Sequence, residues 1–254
     1  MSWKPNGRNI VINEAVKTLK EWIDGSDNIV FFGGAGVSTE SGIKDFRSVD
    51  GLYHMKFKYP PETMLSHSFF ESHTEEFYDF YRKQLMPPED IAPNTAHLRL
   101  AQLEQEGKLR AIVTQNVDGL HEKAGSKVIY NLHGSIYQNR CMRCGKRFDG
   151  PEGARVIREA AGIPRCDCGG IIKPDVVLYE EGLDQDVLEG AIHAIAAADV
   201  LIVGGTSLTV YPAAGLIRYY RGKKLVLINR DETPYDREAD LVIRDPIGTV
   251  FAQI

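Results

Sequence analysis

Six short apolar runs, most of them ending in glycine or a small polar residue, limit what this chain can fold into. They lie at 28–32 (NIVFF), 111–114 (AIVT), 128–132 (VIYNL), 200–204 (VLIVG), 224–228 (KLVLI) and 241–243 (LVI). Runs this short, with no polar alternation, read as strands buried on both faces, the habit of parallel sheets. Between several of them the spacing turns helical. Val11, Ala15, Leu19, Trp22 and Ile23 recur at helical spacing before a stop at Gly25. The stretch 94–106 opens on the cap residue Asn94 and stops at Gly107, and 183–198 carries Leu188, Ala191, Ile192, Ile195 and Ala196 on one stripe. Alternating strands and helices predict an α/β fold, a doubly wound parallel sheet of the Rossmann-like kind.

Two segments break that rhythm. Residues 44–91 are rich in aromatics and histidine between the pairs Pro60-Pro61 and Pro87-Pro88, and 139–170 holds every cysteine of the chain. Both are assigned to a second, smaller module inserted into the α/β domain. That leaves 1–43, 92–138 and 171–254 as the α/β domain. A chain of 254 residues has the core volume for one large domain or two modest ones.

Charge and hydropathy exclude other classes. Thirty basic against thirty-five acidic residues give a net charge of −5, so there is no overall basic field for nucleic acid or anionic lipid. No apolar run approaches the roughly 18 residues of a membrane span. The best candidate, 191–203, is interrupted by His193 and Asp199. The N-terminal residues lack a signal-peptide core with a small-residue cleavage site, and a cytoplasmic location is expected.

The four cysteines form two close pairs, Cys141-x-x-Cys144 and Cys166-x-Cys168, with 21 residues between them. Such pairs can wrap one tetrahedral Zn²⁺, with Gly145 and Gly169-Gly170 supplying the tight turns. Four reduced buried thiols or two disulfides are the alternatives, the latter disfavoured in a reducing compartment. Four protein ligands leave no open position for water, so the zinc is expected to be structural, which argues against zinc-hydrolase chemistry.

A second glycine-rich feature, 31–42 (FFGGAGVSTESG), follows a predicted strand, where a main-chain cradle for a nucleotide pyrophosphate belongs. Gly34 and Gly36 give Gly-x-Gly, but Thr39 stands where the dehydrogenase fingerprint has its third glycine. The loop is therefore either a nucleotide cradle or a tight strand-to-helix turn, and a hydride-transferring dehydrogenase is disfavoured.

Taken together, the motifs resemble those of the sirtuin family of NAD-dependent protein deacylases. They are Gly34-Ala-Gly-Val-Ser-Thr-Glu-Ser-Gly-Ile-Lys-Asp-Phe-Arg47, Thr114-Gln-Asn-Val-Asp-Gly-Leu-His121, Leu132-His-Gly-Ser135, the cysteine pairs and Lys173-Pro-Asp-Val-Val177. Gly205-Thr-Ser-Leu-Thr-Val-Tyr-Pro-Ala-Ala214 and Ile228-Asn-Arg-Asp-Glu-Thr-Pro234 complete the series. The resemblance implies a Rossmann-like NAD-binding domain (1–43, 92–138 and 171–254) with a small module of a helical part (44–91) and a zinc ribbon (139–170), that NAD is consumed as a co-substrate, and that the acyl oxygen of an acetyl-lysine protein attacks the ribose carbon bearing nicotinamide. The products are nicotinamide, O-acetyl-ADP-ribose and free lysine.

It also implies roles for residues. Ala35, Ile43, Asp45, Phe46, Asn116 and Asp118 would surround the nicotinamide, with Asp118 accepting the carboxamide N–H and Phe46 shielding the sugar. Arg47 would lie near phosphates or ribose. His133, at the carboxyl edge of a predicted strand, would be the general base, with Gln115 on the same sugar. His121 is expected to brace the site, and His54, His67, His73, His97 and His193 to serve core or surface. Gly205, Thr206, Ser207 and Asn229 would receive the adenosine half; a helix N-cap is the plain alternative for 205–207. Val177 and Tyr179 would line the acyl-lysine tunnel, with a strand over 175–179 pairing the substrate peptide.

Gly33, Lys44 and Glu180 depart from the family's usual Thr, Pro and Gly. Tyr81 stands where members selective for acidic acyl chains carry Arg, with Arg82 adjacent, so neutral acyl groups, acetyl first, are expected. A mono-ADP-ribosyltransferase and a non-catalytic NAD-sensing module are the competing functions.

Overall fold

A computed structural model of the chain describes residues 14–48 and 51–254. Helix α1 (Glu14–Asp24) buries Val16, Leu19 and Ile23 on one stripe; Val11, which the periodicity adds, lies outside the described residues. Strand β1 (Ile29–Gly33) is buried at every position. Short helices α2 (Pro61–Met64) and α3 (His67–Ser72) follow, then α4 (Thr74–Gln84). The chain continues through α5 (Thr95–Gln105), β2 (Leu109–Thr114), α6 (Leu120–Ala124) and β3 (Ile129–Asn131). Next come β4 (Gly134–Cys141), β5 (Arg147–Asp149), α7 (Gly150–Glu159) and β6 (Ile172–Val176). Last are α8 (Gln185–Ala197), β7 (Val200–Gly204), β8 (Leu225–Ile228), β9 (Leu241–Ile243) and α9 (Ile247–Phe251).

The six apolar runs become one parallel sheet in the order β3-β2-β1-β7-β8-β9. Alternate residues enter different cores. Ile29, Phe31, Val200, Ile202, Val226 and Ile228 face one, with α1, α5 and α9. Val30, Phe32, Leu201, Val203, Leu225 and Leu227 face the other, with α8. Asn94 caps α5 as its sequence suggests, accepting the Ala96 N–H at 3.0 Å, and Asp184 caps α8 by accepting the Val187 N–H at 3.0 Å. The strand order reverses between β1 and β7, which opens a crevice beyond the carboxyl ends of those strands.

A second, antiparallel sheet, β5-β4-β6, carries a third core. Its aromatic centre comes from α3 and α4: Phe70, Phe77, Tyr78 and Tyr81 pack edge-on or stacked at 5.0–5.7 Å. The Tyr78 hydroxyl donates to the Ile172 carbonyl at 2.7 Å and so ties helices to sheet. This core draws on 64–86 and 141–168, and also on Ile136, Ile172 and Val176 from the strands that lead to and from the large sheet.

Candidate active site

The carboxyl ends of β1 and β7 meet through main chain. The Gly34 N–H donates to Gly204 O at 3.2 Å and the Gly36 N–H to Gly205 O at 2.8 Å. A Cβ on Gly36 would stand 2.8 Å from Gly205 Cα, so this approach requires glycine. Two short 3-10 turns, Ala35–Val37 and Thr39–Ser41, then carry the loop away.

Above that floor lies a cavity of about 770 Å³, bounded by the large sheet on one side and the helical module on the other. The residues expected from the sequence reach it from six segments. Gly34, Ala35, Gly36 and Ile43 come from the first loop, and Asp45, Phe46 and Arg47 from its continuation. Gln115, Asn116 and Asp118 follow β2, and His133 follows β3. Val177 and Tyr179 follow β6, Gly205, Thr206 and Ser207 follow β7, and Asn229 follows β8. All sequence-derived candidates outside the cysteine cluster therefore line one crevice.

His133 Nδ1 lies 2.9 Å from Gln115 O. A carbonyl only accepts, so Nδ1 carries the proton and Nε2 keeps its lone pair. Burial holds the imidazole below its ordinary value of 6.5, against a smaller opposing effect of that hydrogen bond, and keeps it neutral at neutral pH. Immediately after it Gly134 has φ +75°, and a Cβ there would stand 1.8 Å from Asp175 O, so only glycine lets β4 start against β6 at this point.

Asp118 and Asn116 share a partner that the sequence did not single out. The Ser38 hydroxyl donates to Asp118 Oδ2 at 2.7 Å and accepts from Asn116 Nδ2 at 3.1 Å. Asp118 Oδ1 accepts the Leu120 N–H at 2.9 Å. Burial pushes the Asp118 carboxyl up, and the Leu120 and Ser38 donors oppose it. Ser38 lay inside the quoted motif, but only the fold shows that it joins two loops. Gln115 Nε2 similarly donates to Thr206 Oγ1 at 3.0 Å, linking the β2 and β7 ends.

Phe46 and Arg47 are presented by a loop that braces itself. Asp45 Oδ1 accepts the N–H groups of Arg47 (3.1 Å) and Ser48 (2.8 Å), and Tyr53 N–H donates to Phe46 O at 2.9 Å. The Arg47 guanidinium sits 5.1 Å from the Tyr53 ring centroid.

The strand expected over 175–179 ends at Val176. Beyond it the N–H groups are already committed: Val177 to His133 O, Leu178 to Glu181 Oε2 and Tyr179 to Leu65 O, while Tyr179 O accepts from His67 N. The chain here leaves the small sheet and pairs with the helical module. Glu180, the departure from glycine, has φ +77°. Its carboxylate accepts from Ser68 N at 2.9 Å and Ser68 Oγ at 3.0 Å. Although burial works to raise Glu181, the Leu178 N–H, His67 and Lys173 together hold it below the usual carboxylate range. Lys173 is itself buried, donating to Glu181 and to the Pro174 and Val176 carbonyls, a support that sequence alone left unassigned.

Tyr81 and Arg82 do not line the cavity. Tyr81 is fully buried in the aromatic core, and Arg82 donates to Ile157 O at 2.9 Å and to Gly162 O. His121 is buried, 4.7 Å from the ring of His97, itself a core residue. Among the described residues neither ring nitrogen of His121 has a hydrogen-bond partner.

Away from the cavity, the sulfur atoms of Cys141, Cys144, Cys166 and Cys168 all lie within 4.8 Å of one another. Cys141 and Cys168 are 3.4 Å apart and Cys144 and Cys166 3.8 Å, far beyond a disulfide and near the roughly 3.8 Å edge of a tetrahedral zinc tetrathiolate. The Arg143 and Cys144 N–H groups donate to the Cys141 sulfur, which favours thiolate. The arrangement fits one structural Zn²⁺ held by these four residues.

Comparison with known proteins agrees with this geometry. The Sir2 family model matches residues 34–212. A protein of Clostridium acetobutylicum named NAD-dependent protein deacetylase is 58% identical over 248 residues, covering 96% of this chain and 100% of the relative. A Staphylococcus aureus protein of the same name is 44% identical, covering 94% and 97%. Among solved structures, Sir2 with a p53 peptide and NAD⁺ superposes with a TM-score of 0.81 at 38% identity, over 94% of this chain and 96% of the other. Sir2 with a deacetylated p53 peptide and 3′-O-acetyl ADP ribose gives 0.84 at 39%, over the same shares.

Proposed function

Because this chain belongs to the Sir2 family and is an NAD-dependent protein-lysine deacetylase, we propose that His133 is its general base and that Asn116 and Asp118 complete the catalytic set. The reaction consumes one water and passes the acetyl group from lysine to the ribose of NAD: the acyl oxygen displaces nicotinamide at the ribose carbon, and water then releases lysine as the free amine and leaves O-acetyl-ADP-ribose. The single observation that carries the assignment is the His133 Nδ1–H bond to Gln115 O, which leaves a neutral imidazole with one free acceptor in the cavity of Asn116 and Asp118.

Each remaining residue follows from its chemistry. Asp118, oriented by Ser38 and Leu120, accepts the nicotinamide carboxamide N–H, with Asn116, Ala35, Ile43 and Asp45 around the same ring. Phe46 shields the sugar from water, Arg47 meets the phosphates, and Gln115 holds the ribose. The main chain at Gly34, Gly36 and Gly205, with Thr206, Ser207 and Asn229, receives the adenosine half. Val177 and Tyr179 flank the acyl-lysine. Among the residues of 177–181, Glu180 is the one whose N–H remains for the peptide backbone.

The substrate acyl group is neutral, acetyl first, since Tyr81 and Arg82 are directed into the small module. The small module comprises 44–91 and 139–170, and 1–43, 92–138 and 171–254 form the NAD-binding domain, with β4 and β6 running from that domain into the small sheet. No helix of the described residues is long and apolar enough to cross a membrane. Four free cysteines gathered at a metal site support a cytoplasmic location.

The test is to incubate the protein with NAD and acetyl- or succinyl-lysine peptides and identify products by mass. Acetyl transfer to ADP-ribose in the wild type and its loss in His133→Ala are expected. Full activity in that variant overturns the base, and faster removal of succinyl overturns the acyl preference.

A further inference from the structure

The loop that presents Phe46 and Arg47 touches the segment that lines the acyl-lysine channel at a side-chain contact the catalytic roles do not use. Tyr53 Oη and Tyr179 Oη are 2.7 Å apart, 126 residues separated in sequence. Each ring is fixed from its own side. Tyr53 stands edge-on to Phe46, with ring centroids 5.8 Å apart, beneath the Arg47 guanidinium, and its N–H closes the loop onto Phe46 O. Tyr179 is fixed through its main chain, its N–H on Leu65 O and its carbonyl on His67 N–H. The two hydroxyls therefore join the loop that presents Phe46 and Arg47 to the segment that follows β6.

We propose that Tyr53 and Tyr179 form a hydroxyl latch that holds Phe46 and Arg47 in register with the acyl-lysine channel. Both are positioning residues; neither handles the reacting atoms in this role. Among its described residues, the loop is held by short internal bonds and by Phe46: Asp45 and Phe46 carbonyls bond Leu52 and Tyr53, Asp45 caps Arg47 and Ser48, His54 Nε2 lies 3.2 Å from Arg47 O, and Phe46 packs against the core of the helical module. Among the hydrogen bonds of the described residues, the hydroxyl pair is the one that ties this loop to the segment after β6. Burial, with the Tyr179 hydroxyl second, raises the Tyr53 phenol above its ordinary value, so it is a neutral donor or acceptor throughout the working range. The inference rests on the site reading above only for its effect on NAD.

Two measurements decide it. Hydrogen exchange without substrates reads the latch directly: Tyr179→Phe is expected to speed exchange at the Leu52 and Tyr53 amides, leaving strand β4 unchanged. Steady-state kinetics reads its use. Tyr53→Phe and Tyr179→Phe are each expected to raise KM for NAD by roughly 2- to 10-fold with a smaller effect on kcat, the range of one lost hydrogen bond. The double variant is expected to match the worse single variant, because both remove the same bond. Unchanged exchange at Leu52 and Tyr53, or a double variant whose KM rise is the product of the singles, overturns the latch. Should the wild type release no nicotinamide, the site reading falls, while the exchange result still decides whether the latch exists.

Discussion

At the scale of single residues, His133 and Glu180 show how environment sets behaviour. Replacing His133 by Ala is expected to lower kcat by at least about 100-fold, the usual worth of a positioned base, measured as nicotinamide release with the circular dichroism spectrum unchanged. Because burial lowers its pKa, the neutral form persists into mild acid, and the acidic limb of kcat/KM is expected below pH 6.5. Glu180 combines a cost and a gain: a left-handed backbone that disfavours any side chain, and a carboxylate bound to Ser68. Glu180→Ala keeps the cost and loses the gain, and is expected to destabilise by roughly 1 kcal/mol in urea titration. Glu180→Gly removes both and is expected to lie closer to the wild type. His133, Asn116 and Asp118 stood out as motif positions, and the fold gathers them around one cavity. Ser38 and Lys173 did not stand out, since their importance comes from partners 80 and 8 residues away that only the folded chain brings near.

At the scale of elements, legibility followed length and burial. The runs at 28–32 and 200–204 became β1 and β7 to within a residue, because a strand apolar on both faces has no other stable place. The strand over 175–179 that the resemblance implied stops at Val176, because a motif does not report where N–H groups turn from the small sheet to the helical module. The helices within 61–84 escaped separate recognition, two of them being six residues or fewer and stabilised by aromatic packing more than by their own turns. The cysteine pairs were legible by spacing alone. They close a sheet whose edge strand β5 has three residues, too few to stand without a staple. A strong chelator is expected to release about one zinc per chain and lower Tm by roughly 10 °C, the effect of losing a few kcal/mol in a chain this size. Retention of the full melting temperature after zinc loss counts against that role.

For the whole molecule, the alternation of elements made a doubly wound sheet readable, and the crevice at its reversal point followed from topology. How the aromatic module closes over that crevice was not readable, because it depends on contacts such as Tyr179 to Leu65 that have no local signature. Global stability carries a pH signature from the buried pair His97 and His121. Burial lowers His97 from 6.5 to about 4 and His121 well below 6.5. The unfolded chain binds more protons in that window, so stability is complete above pH 6.5 and falls as pH drops toward about 4. The His97 displacement alone corresponds to roughly 3 kcal/mol. The urea midpoint is expected to fall between pH 7 and pH 4.5, and less steeply in His97→Gln. The glycine contacts between the ends of β1 and β7 bear on any inhibitor that grips the base of the crevice. Such a compound meets amides and carbonyls, and escape by mutation is closed to it there, since even one methyl group at position 36 collides with Gly205. Resistance is thereby confined to the rim, at positions such as Lys44 and Glu180 where side chains make the contact.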